Sequence, residues 1–256
     1  MEQELYNEWR LFEKRSLEFI NNLKIRKTSE SRLLKIMEFP SLYWDCIKRW
    51  ELYEDLVVRI DWFCQDDYKK FSSIIEREKH PNYITPTIKY RSHSIEKSYS
   101  ELIVKELSSI SIPFNTKSNI AGCDGTDYEL ELGSYWANIK IKWWEDGPEQ
   151  WRTVDNFTKR LTGEFDNILN DEEYDDSLSF EGKLWLEPTS NIKITKDLLN
   201  FLKQFFGFNG LNVIKISELF KLEKPVLLEP SFEYIRYKNL KNEFDKYGLK
   251  VEFEFR

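Results

Sequence analysis

The chain has 256 residues, 41% hydrophobic and 32% charged, with 18 Phe, 13 Tyr and 9 Trp; this excludes a disordered chain and suffices for one large domain or two ordinary ones. Lys and Arg number 38 against 45 Asp and Glu, a net charge of -7 that disfavours general binding to phosphate backbones and favours a basic protein partner. No run approaches the roughly 18 uninterrupted apolar residues of a membrane span, and the opening MEQELYNEWRLFEKRSLEF is interrupted by charge too often for a secretory leader, so a cytoplasmic protein with no membrane partner is expected.

Leu5, Trp9, Phe12, Leu17, Ile20 and Leu23 recur at three- to five-residue steps, which predicts a first helix. A second is predicted over residues 31–37, closed by Pro40, because a residue before proline is pushed away from helical geometry. With the aromatic segment SLYWDCIKRWELYEDL these make an N-terminal helical layer. From Leu56 the β-branched and aromatic run VVRIDWF predicts a strand, DDYKKFSSIIEREKH a helix, and TIKYRSHSI, beyond Pro81 and Pro86, a half-buried strand. SIEKSYSELIVKELSSI opens with a serine and carries Glu96 near its start, as a helix should.

Residues 119–144 carry the cleanest pattern. Tyr128, Leu130 and Leu132 face one way, as do Ile139, Ile141 and Trp143, a β-hairpin with Gly133 and Ser134 at its turn. Gly147 and Pro148 close it before a helix containing Trp151, Val154, Phe157 and Leu161, whose last apolar position is near Ile168. NDEEYDDS at 170–177 reads as a surface linker or loop. SFEGKLWLEPTSNIKIT then alternates like a strand, and a new unit begins near Ser190 with strand, helix, helix, strand, helix, strand. The expected fold is α+β: residues 1–176 as a helical N-terminus with a mostly antiparallel sheet, 177–189 as a connection, and 190–256 as a small C-terminal domain.

That tail resembles the C-terminal domain of the bacterial ribosomal stalk protein, of order β-α-α-β-α-β. A charged helix over 238–246 precedes Tyr247-Gly248 and then Leu249-Lys250-Val251-Glu252-Phe253. Gly248 is placed to take the left-handed conformation that closes a helix, with Leu249, Val251, Phe253 and Phe255 facing inward. Gly207-Phe208-Asn209-Gly210-Leu211 stands where the family has its glycine-containing loop, and Val226-Leu227-Leu228 where it has its middle strand. The resemblance implies recruitment of translation GTPases through lysines beside that loop, for which Lys203 and Lys215 are the counterparts. The segment CDGTDYELELGSYWANIKIKWWEDGPEQWRTVDNF resembles uncharacterised bacterial proteins of the immunity type, in which Asp-Gly-Thr, Tyr-Glu-Leu, Trp-Trp and Pro-x-x-Trp recur in this order. Its Asp124, Gly125, Thr126, Tyr128, Trp143, Trp144, Pro148 and Trp151 also read structurally, as a tight turn, a hairpin and a helix entry.

Chemistry is sparse. Cys46, Cys64 and Cys123 lie far apart and read as core thiols. His80 and His93 are too few for a histidine metal cluster. Asp124, Asp127, Glu129, Glu131, Lys140 and Lys142 approach a nuclease pattern without an acid-x-Lys pair, and alternation assigns Glu129 and Glu131 to a charged, solvent-facing side of the sheet. Lys140 and Lys142 between Trp136, Trp143 and Trp144 make the one local nucleic-acid candidate, opposed by the net charge and by Glu145-Asp146. No catalytic residue, metal or cofactor is therefore assigned. The candidate partner contacts are Asp171, Glu172, Glu173, Asp175 and Asp176, an acidic face for a basic protein, together with Phe208 and Lys215. The expectation is a non-catalytic protein-binding protein, first an immunity protein neutralising a toxin. The alternatives are a translation-associated factor using its stalk-like domain and an unrecognised metal-dependent nuclease.

Overall fold

The computed structural model describes residues 2–23, 32–41, 46–75, 84–113, 125–134, 137–175, 181–188, 192, 194–206 and 224–255. It is mixed α+β, and every strand pairing is antiparallel among the described residues. The chain divides into two compact units, one of Leu23–Lys69 with Pro86–Asp176, the other of Met1–Asn22 with Lys70–Thr85 and Ser177–Arg256.

In the first unit, β1 (Leu34–Pro40), β2 (Ile47–Leu52), β3 (Leu56–Trp62), β4 (Ile88–Ser94), β5 (Thr126–Ser134) and β6 (Ala137–Trp144) form one sheet in the order β4-β3-β2-β1-β5-β6. The helix expected over 31–37, and the helical reading of the segment after Pro40, are thus corrected to β1 and β2. Leu34 and Ile36 alternate with Lys35 and Met37 at period two, and all four are buried. A strand buried on both faces presents a continuous run, which periodicity alone cannot tell from a short helix.

The helices α3 (Lys97–Ser108) and α4 (Arg152–Ile168) supply apolar side chains to the core on one face of this sheet. Val154, Phe157, Leu161 and Phe165 of α4 and Ile103 of α3 join Leu34, Ile36, Trp50, Leu130 and Ile141 in one buried cluster. Two buried indoles fix α4 by its polar atoms: Trp50 Nε1 donates to Asp166 at 2.7 Å and Trp143 Nε1 to Asp155 at 2.8 Å. The hairpin pairs as its alternation requires, Tyr128 opposite Trp143, Leu130 opposite Ile141 and Leu132 opposite Ile139.

The second unit contains α1 (Glu2–Asn22), β7 (Glu181–Leu186), α5 (Lys196–Phe206), β8 (Val226–Glu233), α6 (Tyr234–Lys246) and β9 (Val251–Phe255). The three strands make a sheet in the order β8-β7-β9. Helix α1 falls here rather than with residues 23–69, because its aromatic stripe finds partners in this unit. Trp9 meets Phe71 with ring centroids 5.7 Å apart, and Phe12 and Phe19 meet Phe255 at 6.3 and 5.5 Å. Helix α2 (Cys64–Ile75) has residues in both units. The opening strand lies at Glu181–Leu186, inside the stretch expected to be a connection, while residues 192, 194 and 195 are not in a strand. The end of the chain is as expected. Gly248 has φ +69°, Gly248 N–H donates to the Asp245 carbonyl at 2.9 Å and Leu249 N–H to Phe244 at 2.9 Å, the two bonds of a Schellman cap. Leu249, Val251, Phe253 and Phe255 are buried.

Candidate functional site

Of the proposed partner contacts, Asp171, Glu172, Glu173 and Asp175 are described, while Asp176, Phe208 and Lys215 lie outside the described residues. The acidic run is not a free linker. Asp175 and Tyr90 exchange backbone hydrogen bonds of 2.8 and 3.2 Å along the outer edge of β4, and Tyr90 Oη donates to the Asp175 carboxylate at 2.7 Å. Glu172 meets His93 Nδ1 at 2.7 Å. Tyr174 donates to Asp61 at 2.8 Å beneath the Arg91 guanidinium, which stands 4.6 Å from its ring centre. Burial, seconded by the hydrogen bond to Asp61 and its charge, pushes the Tyr174 hydroxyl up to about 12. Asp171 and Glu173 are exposed, but half of the described acidic side chains of this run are tied to β4.

The charged face of the hairpin also differs from expectation. Glu129 is buried, Glu131 is half-buried, and neither belongs to an open solvent face. Glu129 pairs with Lys140 at 2.5 Å, Lys142 at 2.8 Å and Lys35 at 3.7 Å, and Glu131 with Lys35 at 2.6 Å and with Arg32. Arg32 also reaches Glu51 at 3.0 Å, which pairs with the buried Arg49. The register explains the assembly. Lys35 stands opposite both Glu131 on β5 and Glu51 on β2, so strands distant in sequence deliver alternating charges to one face. Within the hairpin alone β1 and β2 are invisible, and the carboxylates read as solvent-facing.

Burial opposes ionisation of Glu129, but the ammonium groups of Lys140 and Lys142 beside it outweigh that and hold its carboxyl below the ordinary value. Glu131 is shifted down in the same balance, burial being overcome by Lys35 and Arg32. Burial lowers Lys35, opposed by its bond to Glu131. A nuclease arrangement would need these carboxylates open to a metal; here each is occupied by ammonium or guanidinium groups. Among the described residues no group of three or more His, Cys, Asp or Glu side chains is placed to hold a metal ion.

The residues shared with the immunity-type pattern build a corner. A Cβ on Gly125 would stand 2.5 Å from Glu145 Oε1 and 2.6 Å from the Trp144 ring, so glycine is required by close approach. Glu145, at φ +52°, accepts the Thr126 N–H at 2.5 Å, and Gly147, at φ +66°, completes the turn into α4. Trp151 Nε1 donates to the Pro113 carbonyl at 3.0 Å. Asp124 lies outside the described residues.

Sequence reasoning missed an apolar groove in the unit of the six-stranded sheet. A groove of about 550 Å³ opens between the end of α3 and the hairpin, lined by Leu33, Val104, Leu107, Ile110, Ile139 and Ile141 among others. Ile139 and Val104 remain 54% and 38% exposed, large apolar side chains left to water beside an apolar cleft. The signal was present in Leu102-Ile103-Val104: three consecutive apolar residues on a helix cannot share one face, and only Ile103 is buried. The strand bordering the groove, β6, is the last of its sheet.

No family model, no curated protein and no solved structure matches the chain.

Proposed function

We propose that the chain is a non-catalytic protein-binding protein of the immunity type, which neutralises a toxin by covering it. The observation that carries the reading is the apolar groove at the end of α3, with exposed Val104 and Ile139 at a sheet edge. Apolar surface gathered in a cleft and rimmed by polar groups is the usual form of a protein-binding site. The saturation of the hairpin carboxylates by cations supports the same reading, because it leaves them a structural role. A net charge of -7 favours encounter with a basic partner.

The test is capture by the tagged full-length protein from bacterial lysate at moderate salt, beside Val104→Asp and Ile139→Asp variants. The expected result is one stoichiometric partner, lost or weakened at least tenfold by either substitution, whose toxicity in cells is suppressed by co-expression of the wild type. A partner retained equally by both variants would remove the groove from the argument. A captured partner without toxicity would end the immunity reading and leave the binding one.

A further inference from the structure

The inference concerns the form in which a partner is bound, and it rests on the protein-binding reading above. Strand β6 pairs with β5 along one side only, and among the described residues no strand pairs with its other side. Such an edge offers a row of backbone donors and acceptors to any extended chain. Two faces flank it, and they differ in chemistry. Ile139 and Ile141 face the groove with Val104 and Leu107 of α3. Lys140 and Lys142 are on the opposite face, 44% and 64% exposed.

Charge selects among occupants. The charged side chains that β6 itself turns to this face are Lys140 and Lys142, and the two share one buried carboxylate, Glu129. Asp127, exposed on the same face opposite Trp144, lies on β5 and so one strand back from this edge. A second copy of this chain adding its own β6 would bring lysines against lysines, and like charges facing one another across strands are destabilising. A strand alternating apolar and basic residues meets the same repulsion. We propose that β6 accepts an added strand from its partner, in which apolar side chains alternate with Asp or Glu. The apolar set enters the groove beside Ile139 and the acidic set meets Lys140 and Lys142. The chain's overall charge and this local one then specify a partner that is basic as a whole and presents an acidic, apolar-alternating edge strand.

The test uses the full-length protein and three fluorescein-labelled nine-residue peptides: one alternating Val and Glu, one alternating Val and Lys, and the Val-Glu peptide N-methylated throughout. Fluorescence polarisation at low salt reads affinity, and hydrogen exchange over 137–144 reads strand addition. The Val-Glu peptide is expected to bind at least tenfold more tightly than the Val-Lys peptide and to protect β6 amides, with binding lost on N-methylation. Lys142→Glu, at an exposed position, is expected to reverse the preference. Absence of Val-Glu binding, equal binding by the Val-Lys or N-methylated peptide, or protection elsewhere would each overturn the proposal. The two readings fail separately. If Val104→Asp abolishes partner capture while Lys142→Glu leaves it unchanged, protein binding stands and the acidic strand falls. If neither affects capture, the groove reading falls as well.

Discussion

Replacing Glu129 by Gln keeps shape and removes one buried charge, so it measures what the ladder contributes. Breaking a buried ion pair usually costs about 3–5 kcal/mol because the remaining charge is left without a counter-ion. Here the geometry predicts less. Lys140 and Lys142 are 44% and 64% exposed and turn to water when Glu129 is neutralised, so each forfeits only the ~0.2–1 kcal/mol of a surface pair. Lys35 is 4% exposed but keeps Glu131 at 2.6 Å. The expected loss is about 1–2 kcal/mol at pH 7, with Lys142→Gln costing below about 1 kcal/mol. Equilibrium urea unfolding at matched slope, checked by hydrogen exchange of β5 and β6 amides, reads both values. The sign with pH follows from the lowered carboxyl of Glu129. A depressed folded-state value stabilises above the unfolded value of about 4.5, and this contribution is lost as pH falls through the folded value. The difference between wild type and Glu129→Gln must therefore shrink between pH 7 and pH 3. A variant as stable as wild type at pH 7, a Lys142→Gln loss equal to that of Glu129→Gln, or a difference that grows in acid would refute the account.

Gly182→Ala places a Cβ 2.5 Å from the Glu254 carbonyl oxygen and against the Phe253 ring; overpacking against backbone should cost about 1–3 kcal/mol, read as a lowered urea midpoint. Leu161→Ala empties a fully buried position on α4 and should cost about 2–5 kcal/mol, with loss of hydrogen-exchange protection in α4. Tyr174→Phe should remove one phenol whose absorbance titrates near 12, and Asp61→Asn, by deleting the carboxylate it bonds, should bring that titration down toward 10. Because the Tyr174 shift is upward, its stabilisation is present below the unfolded value and is lost as pH rises through about 12.

Short-range signals in the sequence succeeded where the cause of structure is itself short-range. The hairpin register of Tyr128, Leu130 and Leu132 against Trp143, Ile141 and Ile139, and the left-handed Gly248, each depend on neighbours within about 20 residues. The reading failed where a distant strand supplies the compensation. Residues 31–37 read as a helix until Lys35 is seen to meet Glu51 and Glu131 across two neighbouring strands, and Glu129 reads as a surface charge for the same reason. The acidic run looked free because its partners, His93 and Tyr90, precede it by about 80 residues. The apolar run Leu102-Ile103-Val104 marked surplus apolar surface on α3, but the groove's shape was not legible because α3 and the hairpin make it jointly.

The lysines of β6 also bear on self-association. An edge strand with Ile139, Ile141 and Trp143 on one face would be prone to pair with copies of itself, and lysines on such an edge are a common defence. Here they are held in register by a buried carboxylate, Glu129, with Nζ atoms 2.5 and 2.8 Å from it. Under the proposed strand addition, a defence fixed in position excludes like-charged strands and, by the same electrostatics, admits acidic ones, which ties protection from aggregation to choice of partner. If that is so, Lys140→Gln and Lys142→Gln together should raise concentration-dependent self-association of the full-length chain while lowering its affinity for an acidic strand. Two such effects moving in the same direction would separate the two roles.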